Sequence, residues 1–166
     1  MDTLWRCWKS SLRAGSVISM NSEFAIVLHD EVAGILETAK SHNTPTLTLS
    51  TGGRVDRQTF IAAVRESLPL DPPLESSRSW DALSDSLWEG LHRLKAPRLV
   101  LVWTDAGTAE GHEQDFQIAL WVLCDLVEGL ADAEATVGEP TQLSIYVAVS
   151  AETELVARHL LQQRYA

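Results

Sequence analysis

Two apolar runs constrain this chain more than any other feature: "RLVLVW" at Arg98–Trp103 and "LSIYVAV" at Leu143–Val149. Each is nearly continuous rather than alternating. A strand built from either needs cover on both faces, as the central strands of parallel sheets have. Between them, Phe116, Ala119, Leu120, Leu123, Val127 and Leu130 recur at helical spacing. Strand, helix, strand in that order implies a crossover connection and parallel pairing.

The same alternation is found upstream. "FAIVL" (Phe24–Leu28) is a short β-leaning run, and Asp30 is placed to cap a helix carrying Val32, Ile35, Leu36 and Ala39. "TLTLS" (Thr46–Ser50) alternates as a strand does, and Asp56 can cap the next helix, with Phe60, Ile61, Val64 and Leu68 as its buried stripe. The three prolines of "LPLDPPLESS" (Leu68–Ser77) mark a loop. Ser79 is then the expected N-cap of another helix, and Glu152 to Gln163 forms the last one. The expected fold is α/β: a parallel sheet with helices packed against it. Residues 22–166 are expected to make one domain, since a chain of 166 residues can bury a real core. Residues 1–21 are expected to be a leader that need not be ordered. Its Trp5, Trp8 and Leu12 would align on a short amphipathic helix, but it holds no apolar core of a secretory signal.

Charge narrows the partners. The net charge is −10, and Leu99–Ala157 contains eleven Asp or Glu and no Lys or Arg. Such a surface repels nucleic acid and anionic membrane and steers a basic protein toward itself, while also serving plain solubility. Cys7 and Cys124 lie far apart and suit reduced thiols in the cytoplasm. No apolar run reaches the length of a membrane span. His112 and Asp115 are at best half a metal site, and "TGGR" lacks the spacing of a phosphate-binding loop. No cofactor or metal is expected. A hydrolase pairing Asp81 with Asp85 would lack a nucleophile, so an enzyme is not expected either.

The most unusual stretch is "RSWDALSDSLWEGL", Arg78–Leu91. Asp81, Asp85 and Glu89 recur every fourth residue, a spacing at which like charges cost about 0.2–0.5 kcal/mol per pair. No Lys or Arg is expected at the i+4 positions to relieve the row. In projection Trp80, Leu83, Leu87 and Leu91 share one arc, the carboxylates lie opposite, and Trp88 borders Asp81. Two readings follow: a protein interface with an exposed aromatic anchor, or a solvated face with Trp88 covered by a neighbouring loop. On the later helix Gln117, Trp121, Asp125 and Glu128 form a more polar stripe. There Trp121 is either a second anchor or is covered by the N-terminal additions.

"SRSWDALSDSLWEGL", after a proline-containing loop and before "PRLVLVW", resembles the barstar family of ribonuclease inhibitors. "TLSTGGRVDRQTFIAAVRESL", "FQIALWVLCDLVEGL" and "SIYVAV" follow the family in order, so the resemblance covers roughly Thr46–Val149. It implies a small parallel sheet of three strands, or four with the strand before Thr46, packed with helices, and a cytoplasmic inhibitor whose acidic helix plugs the active site of a basic ribonuclease or ribonuclease-type toxin. It further implies that Asp85 takes the place of a substrate phosphate, that Asp81 is the first motif aspartate, and that a carboxylate of the later helix, nearest Asp125, contributes. The partner-binding set is then Asp81, Asp85, Glu89, Trp88, Ser84, Arg78 and Asp125. The chain departs from the family where an aromatic-rich Y-F-G-type stretch usually precedes the motif, for it reads "PPLESSRS" there. Ser79, Ser84 and Ser86 stand where Asn, an aromatic and Cys are common. The same face could therefore serve a non-inhibitory binding module whose partner is not a ribonuclease.

Overall fold

A computed structural model describes residues 22–76 and 79–165. The leader reading of residues 1–21, and Arg78, lie outside the described residues. Among the described residues four strands, β1 (Glu23–Leu28), β2 (Thr46–Leu49), β3 (Arg98–Trp103) and β4 (Gln142–Val149), pair in the order β1-β4-β3-β2, every pair parallel. The two continuous apolar runs are the two central strands: Leu99–Trp103 and Leu143–Val149 are buried throughout. The short run at Phe24–Leu28 does join the sheet, as an edge beside β4, and makes it four-stranded.

Parallel pairing requires crossovers, and among the described residues five helices supply them or flank them: α1 (Val32–Ser41), α2 (Arg57–Ser67), α3 (Trp80–His92), α4 (Glu113–Ala131) and α5 (Ala151–Gln162). Side chains of successive strand residues point to opposite faces. Val100, Val102, Ala25 and Tyr146 therefore meet Ile35 and Ala39 of α1 on one face. Leu99, Leu101, Trp103, Ile145 and Val147 meet Phe60, Leu83, Leu87, Leu91, Leu120 and Leu123 on the other. The edge at β1 is closed by α5: Arg158 Nη2, held by Glu154 at 2.8 Å, donates to the Ile26 carbonyl at 3.3 Å. A capped edge is a poor template for a foreign strand.

Helix starts follow the sequence with one correction. Asp56 accepts from the Thr59 N–H at 2.8 Å, and that bond, with a second from the Thr59 hydroxyl, holds the Asp56 carboxyl below its usual range. Asp30 does not cap α1. A 3₁₀ turn, His29–Glu31, precedes the helix, and Glu31 rather than Asp30 reaches back to accept from the Leu28 N–H at 2.7 Å. Among the described residues no helix is long and apolar enough to cross a membrane.

Candidate protein-binding face

α3 is fixed from its inner side. Ser79 caps it, its hydroxyl accepting from the Ala82 N–H at 3.5 Å. Leu83, Leu87 and Leu91 are fully buried one turn apart, and the half-buried Trp80 packs its ring 5.6 Å from Phe60. This arc presents the opposite side of the helix to solvent. Asp81 and Asp85 are exposed there, and neither has a hydrogen bond or ion pair with another described residue.

One flank of the row is held by the preceding loop. The Asp71 N–H donates to the Ser86 carbonyl at 2.9 Å, and the buried Ser86 hydroxyl donates to the Pro72 carbonyl at 2.5 Å. Gly90, one turn on, has the Pro69 carbonyl where a Cβ would sit. Arg93 ties the same loop to the helix, its guanidinium 2.5 Å from Asp71 and 3.0 Å from Glu89. Glu89 is thus the relieved member of the row. Arg93 stands four residues after it, just past the helix end, so the row is unrelieved only at Asp81 and Asp85.

The Gly90 contact has a measurable consequence. Alanine is normally the better helix former by about 1 kcal/mol. In Gly90→Ala the new methyl meets backbone rather than a yielding side chain, and overpacking of that kind costs about 1–3 kcal/mol. Urea denaturation should show a net loss of stability, and a gain would mean that the loop does not lie where it is described.

The other flank leans on α4. Trp88 is half-buried, stacked on His92 with ring centroids 5.1 Å apart, and its indole nitrogen lies 3.0 Å from where a Cβ of Gly129 would be. The expectation of an exposed anchor, or of a loop covering it, is corrected on this point. A helix covers the ring, because the missing side chain at Gly129 opens a seat for it. Ser84 is half-buried, one turn before Trp88. Asp125 lies one turn before Gly129 on α4 and is engaged within the chain: Arg164 forms an ion pair with it. Burial nevertheless outweighs Arg164 and pushes the Asp125 carboxyl up. Trp121 donates its indole N–H to the Leu160 carbonyl at 3.2 Å, so the C-terminal helix covers it rather than the N-terminal additions.

At the carboxyl end of the sheet, where parallel α/β folds often hold small ligands, the loop after β2 is tied down from within. Asp105 accepts from the Thr51 and Gly52 N–H groups at 2.8 and 2.9 Å and from the Ser50 hydroxyl at 2.6 Å. Those are the backbone donors of the "TGG" turn, and a carboxylate of the chain already satisfies them. Sequence reasoning missed Asp105, Arg93 and Gly129. Only Arg93 carried a local signal, its i+4 spacing from Glu89.

No curated protein and no solved structure gives a significant match. The family model described as Barstar (barnase inhibitor) matches residues 44–144, from just before β2 into β4. That span is more than half of the chain and includes the acidic helix with the loop before it; the chain belongs to the barstar family.

Proposed function

We propose that this protein binds a basic ribonuclease, or a ribonuclease-type toxin, and blocks it with the outer face of α3. One observation carries the reading: Asp81 and Asp85 stand exposed and unpartnered, among the described residues, on a helix locked from behind by three fully buried leucines. A ribonuclease must hold a polyanion and so concentrates Arg, Lys and His in its cleft. A rigid pair of carboxylates one helical turn apart matches such a cleft, speeds encounter, and forms charge-assisted hydrogen bonds on docking. The like-charge repulsion of the free helix is relieved by the partner's cations.

In this reading Asp85 occupies the position of a substrate phosphate and Asp81 lies beside it. Glu89 and Arg93 form the rim, Ser84 lines the approach, and Arg78, outside the described residues, is kept in the set on its place in the motif alone. Trp88 contributes through the shoulder it makes with α4. The protein acts as a stoichiometric inhibitor in the cytoplasm, protecting a cell that makes the enzyme, and is not itself an enzyme. Family membership supports a ribonuclease as the kind of partner.

A second reading is favoured by the loop before α3. It has no aromatic residue, and its Leu70 and Leu74 pack against the core. The same face would then bind a basic protein other than a ribonuclease. One titration decides between them: the partner is captured with the full chain, identified, and assayed on RNA. Loss of turnover complete at one equivalent of this protein is the expected result. A captured protein without nuclease activity, or a nuclease that keeps turning over in the saturated complex, overturns inhibition in favour of the second reading.

A further inference from the structure

The polar stripe of α4 is not left free, because the end of the chain is laid along it. The Gln117 side-chain amide donates to the Gln163 side-chain carbonyl at 2.5 Å, and the Trp121 indole donates to the Leu160 carbonyl at 3.2 Å. Arg164 Nη2 reaches both Asp125 and, at 3.3 Å, Glu128. The Tyr165 hydroxyl donates to Glu128 Oε1 at 3.3 Å and lies 3.3 Å from the Cys124 sulfur. The Arg164 guanidinium also lies 5.5 Å above the Tyr165 ring. Leu160 and Leu161 pack against the core and anchor the segment.

Three features set this clasp apart from a chance surface pair. It matches the stripe residue for residue over three turns of α4. Its guanidinium side chain is sheltered, 20% exposed, while the Asp125 side chain beside it is 53% exposed and still faces outward. Its other terminal nitrogen, Nη1, is buried without a hydrogen-bond partner among the described residues. A buried unsatisfied donor is costly, so the clasp is weaker than its contacts suggest and can be exchanged for a better-satisfied arrangement. Asp125 also lies on the row of α4 that carries Gly129, against which Trp88 of α3 rests. The clasped Asp125 thus stands one helical turn from the seat of Trp88, the residue of α3 that borders Asp81 in projection.

We propose that Arg164 is a built-in competitor that decides which partners this face accepts: its guanidinium holds Asp125 and Glu128 in the free protein, so a basic partner reads Asp81 and Asp85 first and gains the α4 carboxylates only by displacing the Leu160–Tyr165 segment. This rests on the reading of α3 as the docking face for a basic protein. A partner whose cations reach α3 alone binds with the clasp shut. A partner with a second cation cluster must exchange it for Arg164, so the tail discriminates against it.

A short oligo-arginine peptide serves as the cationic probe, titrated into the full chain at low salt while the Asp and Glu side-chain carboxyl resonances are followed by NMR. In the wild type, Asp81 and Asp85 should shift saturably and Asp125 and Glu128 should not. In Arg164→Ala, Asp125 and Glu128 should join them and the peptide should bind about three- to tenfold more tightly, the scale of one or two exposed ion pairs. Arg164→Lys, which restores a cation, should silence Asp125 and Glu128 again. Arg164→Gln keeps a shorter, unbranched polar stem without the charge, and replaces alanine if alanine loosens α5. Response of Asp125 and Glu128 in the wild type overturns the proposal, and so does their silence in Arg164→Ala and Arg164→Gln. Silence of Asp81 and Asp85 together with a clasp-dependent response on α4 would remove the α3 reading and leave the clasp standing.

Discussion

Asp85→Ala is expected to weaken partner binding by about 3–5 kcal/mol, between a hundredfold and several thousandfold, while leaving the free protein slightly more stable. The first half follows from where the charge goes. On docking, Asp85 would be desolvated against cations of the partner, and removing one member of a buried, hydrogen-bonded ion pair costs that much because the other is left uncompensated. Most of the change should fall in the dissociation rate, since the remaining carboxylates still steer encounter. The second half follows from the free helix. Asp85 stands between Asp81 and Glu89, one turn from each, and has no partner of its own among the described residues. Its removal relieves about 0.2–0.5 kcal/mol of repulsion per neighbour. Isothermal titration with the captured partner and a urea melt of the free protein check both halves. Opposite signs are the mark of a group kept for binding at the expense of the fold. An unchanged affinity would remove Asp85 from the interface whatever the partner is.

What could be read from the chain before its structure divides along range of interaction. The two central strands were legible because burial on both faces leaves no room for polar alternation in Arg98–Trp103 and Leu143–Val149. The inner arc of α3 was legible because 3.6-residue periodicity is local, and Leu83, Leu87 and Leu91 are all fully buried as that periodicity demands. The flanks of the site were not. Gly90 reads locally as a weak helix residue, and its purpose, room for the Pro69 carbonyl, comes from a loop residue twenty-one positions upstream in a conformation no spacing rule supplies. Gly129 makes the seat of Trp88 from a different helix. Arg164 neutralises Asp125 across 39 positions. Charge counted along the chain leaves Asp125 a free carboxylate, whereas in the fold it already has a cation. The family resemblance located α3 but said nothing of the C-terminal segment, for the family match ends at residue 144.

Trp103→Ala is expected to cost about 3–5 kcal/mol of stability, a large share of the roughly 5–15 kcal/mol that holds a domain of this kind together. Trp103 ends β3 with no exposed surface. Its ring meets Phe60 at 5.1 Å and, edge-on, Phe116 at 5.8 Å, so one side chain joins the sheet to both α2 and α4. Its indole N–H donates to the Thr51 hydroxyl at 3.1 Å, and Thr51 is itself held by Asp105. Alanine leaves a cavity and removes the donor to a buried hydroxyl, whereas Trp103→Phe keeps much of the ring volume and should cost less. The damage should also reach the binding face. Phe60, wedged between Trp103 and Trp80, transmits the position of the sheet to the first residue of α3, one place before Asp81. Without Trp103 that first turn loses its backing, and hydrogen exchange should rise at Trp80–Leu83 before it rises in β4. Guanidinium melts measure the stability term and exchange resolved by residue measures the local one. If Trp103→Ala loses stability uniformly, with no excess exchange at the start of α3, the aromatic chain holds the core together but does not position the acidic row.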